Sequence, residues 1–164
     1  MARIAVIVLF TVFLSFNSFY TEENKPAVRE KAKIEKVLDG DTILLEDGRT
    51  VRLIGLDSPE TNHPTLPVQR YGKEASVFTV KFAEGKDCEL EFEENNKKDV
   101  HGRSVAYVFV NGKLLNAELL KGGFAYVYTK YDFKLKAEFI KLQKQAIKER
   151  KGLWNIKDKS GKSK

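Results

Sequence analysis

The stretch Asp41–Glu60, "DTILLEDGRTVRLIGLDSPE", decides how the chain folds. Two β-rich runs, "TILLE" and "RTVRLIGLD", flank Asp47-Gly48, a dipeptide that suits the left-handed backbone of a tight hairpin turn. The reading therefore starts from an antiparallel pair, Thr42–Glu46 against Arg49–Asp57. Just before it, "LDGD" places Asp39, Gly40 and Asp41 at the mouth of a strand. Asp-Gly builds turns for local backbone reasons, so those residues acquire chemical meaning only beside other charged groups.

Outward from the hairpin, "KAKIEKVLDG" carries Ile34, Val37 and Leu38 and reads as a first strand. "SPETNHPTLP" contains Pro59, Pro64 and Pro67, which enforce an irregular loop. From Tyr71 to Ala83, the spacing of Ala75, Phe78 and Phe82 gives a helical face, and Gly85 suits its stop. "CELEFEEN" alternates as a strand with Leu90 and Phe92 on one side. "RSVAYVFVNGKLLNAELLKGG" reads as a strand, an Asn111-Gly112 turn and a short helix. "FAYVYTKYD" is aromatic and extended. A last helix, about Phe133–Lys151, aligns Leu135, Phe139, Leu142 and Ala146, with Gly152 as its end. Five short strands with a hairpin first and a helix last predict an α+β, mainly β fold. Its best match is a five-stranded OB-fold Greek-key barrel with three α-helices.

The 164 residues suit one domain. With 42% hydrophobic and 32% charged residues the composition is that of a globular chain. The net charge of +6 favours an anionic partner, nucleic acid or an acidic membrane surface. A single cysteine, Cys88, excludes an intramolecular disulfide and a Cys-x-x-Cys zinc site, and reads as a buried strand residue. Residues 1–20 place Arg3 before an apolar run, Ile4–Leu14, interrupted only by Thr11. That layout is expected of an export signal, or of an uncleaved anchor as its main variant, and the run is short for a membrane span. Residues 21–30 read as a polar linker, 31–158 as the domain and 159–164 as a basic tail.

Asp57 and Glu60 sit where the second run opens into the proline loop. Carboxylates and Arg52 within an apolar strand are costly to bury unless paired or bound to a metal. An antiparallel hairpin brings Asp41 near Asp57, and two hard carboxylates on adjacent strands suit a divalent cation completed by water and substrate phosphate. Salt bridges from Arg52 and Arg103 to these acids explain the same residues equally well. The turn "HGR" tips the balance, because Gly102 presents Arg103 from the rim of a barrel. Two arginines able to grip phosphate oxygens, a cation site and a separate glutamate suit phosphodiester hydrolysis, in which a nearby carboxylate acts as general base.

At "VLDGDTILL", "RLIGLDSPE", "YGKEAS", "HGRSVAY" and "ERKGLW" the chain resembles the staphylococcal nuclease family, in order and spacing, over roughly Lys31–Asp158. The resemblance implies an OB-fold enzyme that cleaves DNA and RNA with Ca²⁺, leaves 3′-phosphate ends and has low sequence specificity. It implies that Asp41 and Asp57 ligate Ca²⁺ through carboxylates and Ser58, where the family commonly has Thr, through its backbone carbonyl. Glu60 matches the general base, and Arg52 and Arg103 the phosphate-holding arginines. Asp39 matches a turn-shaping residue. His101 stands where the family often has Tyr, Val100 where the staphylococcal enzyme has Lys, and Tyr126 and Tyr128 match the pair lining the nucleotide pocket. Barrel packing explains those tyrosines as readily. The expected partners are DNA and RNA, single-stranded or denatured strands favoured, with no small-molecule cofactor and a monomeric chain.

Two other classes compete: a nuclease-like binding module that has lost catalysis, and an OB-fold single-strand binder relying on stacking and a basic groove. Retention of Asp41, Asp57, Glu60, Arg52 and Arg103 favours the enzyme. His63 and His101 are too isolated for zinc, and Trp154 reads as a cap on the last helix.

Overall fold

The structure is a computed structural model and describes residues 28–61, 67, 69–95 and 97–155. Residues 1–27, where the export signal and most of the linker are expected, lie outside the described residues, as do His63, Pro64 and the expected basic tail. The chain runs β1 (Glu30–Asp39), β2 (Thr42–Leu45), β3 (Thr50–Leu53), β4 (Leu56–Asp57), α1 (Gly72–Ala83), β5 (Asp87–Glu91), β6 (Ser104–Val110), β7 (Lys113–Leu114), α2 (Leu115–Gly122), β8 (Tyr126–Val127) and α3 (Lys136–Lys148), then a 3₁₀ turn at Gly152–Trp154.

β1 serves two neighbours. Its first half pairs with β5 (Lys31 opposite Glu89) and its second half with β2 (Val37 opposite Ile43). Register shifts after Ile34 and after Val37 bend it between them, as bulges do at barrel corners. β2 and β3 form the hairpin about Asp47-Gly48, with Thr42 opposite Arg52. β5 pairs with β6, and β6 runs parallel to β3, with Arg52 opposite Val105. That last pairing closes β1, β2, β3, β6 and β5 into a barrel, the OB-fold expected from the strand pattern.

The inward residues alternate as the pattern requires: Ile34, Ile43, Leu45, Val51, Leu53 and Leu90 are buried. Cys88 lies among them, and burial pushes its thiol up to about 11. Its side chain is therefore a packing element, not a nucleophile. Asn111 and Gly112 both take positive φ, 51° and 73°, and make the tight β6–β7 turn.

Three differences from the sequence reading matter for the site. Arg52–Asp57 is not one strand. β3 stops at Leu53, Gly55 takes φ 75°, and Leu56–Asp57 restarts as β4 in a separate pairing with β8. A Cβ at Gly55 would sit 2.6 Å from the Phe133 ring, so this kink is packed as well as turned. The second difference is α3, which spans 136–148 and ends with Arg150 at φ 51°, while Gly152 opens the 3₁₀ turn. Phe133–Leu135 are spent instead on docking. The Lys134 N–H donates to Glu93 Oε1 (2.7 Å), the Leu135 N–H donates to the Tyr107 hydroxyl (3.1 Å), and that hydroxyl donates to Glu93 (2.6 Å). The third is the aromatic segment, where only Tyr126–Val127 is strand.

Asn116 of α2 is fully buried and ties the helix to the kink. Its Oδ1 accepts from the Val108 N–H and its Nδ2 donates to the Ile54 carbonyl, both at 3.0 Å. No helix among the described residues is long and apolar enough to cross a membrane.

Candidate active site

The kink at Gly55 determines what Asp57 meets. In the hairpin register Asp41 already lies beside β3, its carbonyl accepting the Leu53 N–H (2.9 Å). A straight strand would carry Asp57 about four residues farther, roughly 13 Å away at 3.3 Å per residue. The turn folds it back, so that the Ser58 N–H donates to Asp41 Oδ2 at 2.6 Å. Arg52 then bridges both acids: Nη1 pairs with Asp41 Oδ1, and Nη2 donates to Asp57 Oδ1 (3.0 Å) and to the Leu56 carbonyl (3.2 Å). Burial lowers the affinity of this guanidinium for its proton, against the opposing charge of Asp57. It remains a cation because arginine starts from so high a value.

Asp41 is 3% exposed and also accepts from the Thr42 hydroxyl (3.1 Å). Arg103 is oriented by Asp99, a residue the sequence reading passed over. Asp99 Oδ1 accepts the Arg103 N–H (3.0 Å) and the His101 N–H (2.9 Å), and Oδ2 accepts Arg103 Nε (2.7 Å). Burial alone would raise the Asp99 carboxyl, but these hydrogen bonds outweigh it and hold it below its usual range. The signal was present in "DVHGR": an Asp two residues before a turn and four before the arginine is the pattern of a carboxylate-closed loop. The salt-bridge reading of the arginines is thus realised for Arg52 with Asp41 and Asp57, whereas Arg103 pairs with Asp99.

Glu60 is half-buried, and its backbone is fastened to Gln69 from both sides: its carbonyl accepts the Gln69 N–H (2.9 Å) and its N–H donates to Gln69 Oε1 (3.3 Å). Asp39, buried, accepts from the Gly40 N–H (2.8 Å) and from the Thr61 hydroxyl (2.7 Å), tying the β1–β2 turn to the residue after Glu60. Thr79 of α1 donates to the Gly40 carbonyl (2.7 Å) and pins the same turn from behind.

These groups face one cavity of about 260 Å³, walled by Asp39, Asp41, Asp57, Ser58 and Glu60 with Arg52 and Arg103. Four carboxylates and two guanidiniums wall it, and Asp99 also holds Arg103 from outside, so acids outnumber arginines and the cavity favours a cation. Every acidic donor is a hard oxygen, and the buried Ser58 Oγ has no hydrogen-bond partner among the described residues. The set fits Ca²⁺ or Mg²⁺ and not a soft metal. Among the described residues, no three acidic, His or Cys side chains form a cage by themselves.

Gly40 is needed here for space. A Cβ on it would lie 2.8 Å from Ser58 Cβ and Oγ and 2.9 Å from Ala75 Cβ. Gly40→Ala is expected to lower stability by about 1–3 kcal/mol by overpacking, read from urea unfolding, and to displace the Asp57–Ser58 turn.

A second cavity of about 410 Å³ shares Arg52, Asp57 and Arg103 with the first and extends to His101, Tyr128, Tyr131 and Phe133. His101 and Tyr128 therefore lie at its wall. Tyr126, in register with Asp57 on β8, lies outside the walls of both cavities; its ring packs edge-on against Trp154 at 5.3 Å.

Comparison with known proteins identifies the family. Residues 50–156 match the family model described as "Staphylococcal nuclease homologue". The chain is 36% identical over 156 residues to the thermonuclease of Staphylococcus hyicus, and equally to that of Staphylococcus intermedius, covering 92% of each chain. It is 38% identical over 130 residues to the endonuclease YncB of Bacillus subtilis, covering 73% of this chain and 62% of that one. With its barrel, its acidic cavity and its paired arginines, the chain belongs to the staphylococcal nuclease family.

Proposed function

We propose that the protein is an exported, calcium-dependent endonuclease that hydrolyses phosphodiester bonds of DNA and RNA with low sequence specificity, leaving 3′-phosphate ends. The observation that carries the reading is the single 260 Å³ cavity that gathers Asp41, Asp57, Glu60, Arg52 and Arg103. The names of the relatives, thermonuclease and endonuclease, support the same reaction class. The domain at 31–158 would carry the activity as a monomer, and the N-terminal apolar segment supports export.

Asp41, Asp57 and the Ser58 carbonyl would hold the cation, and its chemistry there is to neutralise charge on the reacting phosphate. Calcium follows from the family resemblance; the donors serve any hard divalent ion. Arg52 and Arg103 grip phosphate oxygens, each held in place by a carboxylate, Asp57 for one and Asp99 for the other. Their fixed N–H groups meet the charge that develops on phosphorus without reorganising. Glu60 takes a proton from the attacking water as its oxygen bonds to phosphorus. The bond to the 5′-oxygen breaks, that oxygen acquires a proton, and the phosphate stays on the 3′ side.

Cleavage of heat-denatured DNA by the whole chain is expected to require Ca²⁺. A chelator should reduce it at least 100-fold, of the order expected for charge stabilisation lost at a transferred phosphoryl group. Re-added Ca²⁺ should restore it. Activity unmoved by the chelator would overturn the cation assignment. Binding without cleavage in Ca²⁺ and in Mg²⁺ would convert the protein to a binding module.

A further inference from the structure

We propose that the outward face of α3 is a polyanion track, on which Lys141, Lys144 and Lys148 hold the backbone of a single nucleic-acid strand outside the cavity where cleavage occurs. This rests on the nuclease reading above and adds a second contact surface for polymeric substrate. The charge of the chain is unevenly placed. Residues 28–133, which include the whole barrel, hold sixteen lysines and arginines against eighteen acids, a net charge of −2. Residues 134–151 hold seven against two, a net charge of +5. The barrel with its acidic cavity therefore offers a polyanion no net attraction, and the attraction lies on α3.

Phe139, Ala146 and the partly buried Leu142 face the core, so positions 141, 144 and 148 lie on the opposite side of the helix and are exposed. Spaced at i, i+3 and i+7, they form a row about 10 Å long. Neighbouring lysines are paired: Lys134 with Glu91 (3.1 Å), Lys136 with Asp132 (3.5 Å) and Lys151 with Glu149 (2.5 Å). Lys141, Lys144 and Lys148 make no ion pair or side-chain hydrogen bond among the described residues. The row also starts from the site. Asp132 and Phe133 wall the 410 Å³ cavity that shares Arg52 and Arg103 with the acidic one, and α3 begins three residues after Phe133. Gln143, in mid-helix, accepts the Val127 N–H (2.7 Å) and so fixes α3 to the strand paired with Asp57. Lys141 and Lys148 lie about 8 and 18 Å of helix rise beyond Lys136. An anionic membrane suits the charge but not the shape. A helix lying on lipid needs a free apolar face; that of α3 is taken by the core, and among its large apolar residues only Ile147, 43% exposed, stands beside the lysines.

The test compares the whole chain with a triple variant, Lys141→Gln, Lys144→Gln and Lys148→Gln, and with a second, Lys141→Arg, Lys144→Arg and Lys148→Arg. Every protein carries Glu60→Gln, so that the strand survives. Binding of a fluorescein-labelled oligothymidylate of about 20 nucleotides, longer than one barrel site, is read by anisotropy in Ca²⁺, beside a labelled trinucleotide. Each phosphate contact on a single strand adds about −0.7 to the slope of log affinity against log salt, so the three lysines account for about −2. Between about 50 and 200 mM salt the parent should therefore lose about 20-fold more affinity for the long strand than the glutamine variant does. The arginine variant should keep the parent's slope. The trinucleotide, too short to span the cavity and the row, should bind parent and variants alike. With Glu60 intact, the glutamine variant should raise KM on denatured DNA and leave kcat unchanged, as loss of uniform binding does. A glutamine variant with the parent's slope, or an equal loss on the trinucleotide, overturns the proposal. So does a variant that keeps strand binding yet loses binding to vesicles of phosphatidylglycerol and phosphatidylcholine, which would assign the row to a membrane. Absence of cleavage by the unsubstituted chain overturns the nuclease reading instead, and the salt slopes still decide the role of the lysines.

Discussion

Glu60→Gln is expected to lower kcat on denatured DNA by about 10²- to 10⁴-fold, the usual worth of a positioned general base. Gln keeps the size of the side chain and cannot accept the proton. Stability should change little, because Gln keeps hydrogen-bonding capacity at this position, and the two Gln69 bonds to the Glu60 backbone and the Thr61 hydroxyl bond to Asp39 are untouched. KM should also stay close to that of the unsubstituted chain, since the phosphate is assigned to Arg52 and Arg103. Single-turnover kinetics with circular dichroism of the folded variant checks both halves. A variant that retains more than about a tenth of kcat removes Glu60 from proton transfer.

Phe139→Ala is the substitution expected to cost most stability, about 3–5 kcal/mol. Phe139 is fully buried, meets the edge of Tyr107 at 6.1 Å and 88°, and lies 5.6 Å from Phe133. Of α3 only Phe139 and Ala146 are fully buried, with Ile140 and Leu142 packed partly buried beside them, so this ring is the largest apolar group that the helix buries. Marginal domains have about 5–15 kcal/mol in total, and at about 2–4 °C per kcal/mol for a domain near 150 residues the thermal midpoint should fall by 6–20 °C. Phe139→Leu, which leaves less of a cavity, should fall less. An alanine variant that melts within about 3 °C of the parent would mean that the Tyr107–Glu93 latch and the α2 contacts hold α3 without it. Activity should fall ahead of global unfolding, because Phe133, touching both Phe139 and the Gly55 kink, loses its support.

Much of this architecture was legible because local chemistry and global fold agree. Asp47-Gly48 between two β-rich runs names a hairpin, Asn111-Gly112 names a turn, and Ala75, Phe78 and Phe82 name one face of a helix. The order of these elements was enough for the barrel class. The acids and arginines were legible as residue types, because charges placed inside apolar strands need a reason. The kink at Gly55 was harder to read. Isolated Gly in a strand pattern signals a bulge or a close approach, but here the approach is by Phe133, 78 positions later. The extent of α3 was misread for a similar reason: Leu135 fits the helical stripe, yet its N–H and that of Lys134 are taken by Tyr107 and Glu93 on the barrel.

The sequence by itself determined the five principal barrel strands and three helices, the hairpin, the family motifs and the identity of the groups that can hold a phosphate or a cation. Periodicity and turn chemistry act between residues a few positions apart. Only the tertiary structure decided how those groups meet: that Asp57 folds back to Asp41 through Gly55, that Asp99 aims Arg103, that Tyr126 belongs to Trp154, and that Tyr131 stands beside Tyr128. Each of these depends on which distant side chain fills the space or takes the hydrogen bond, and that is settled by packing between elements.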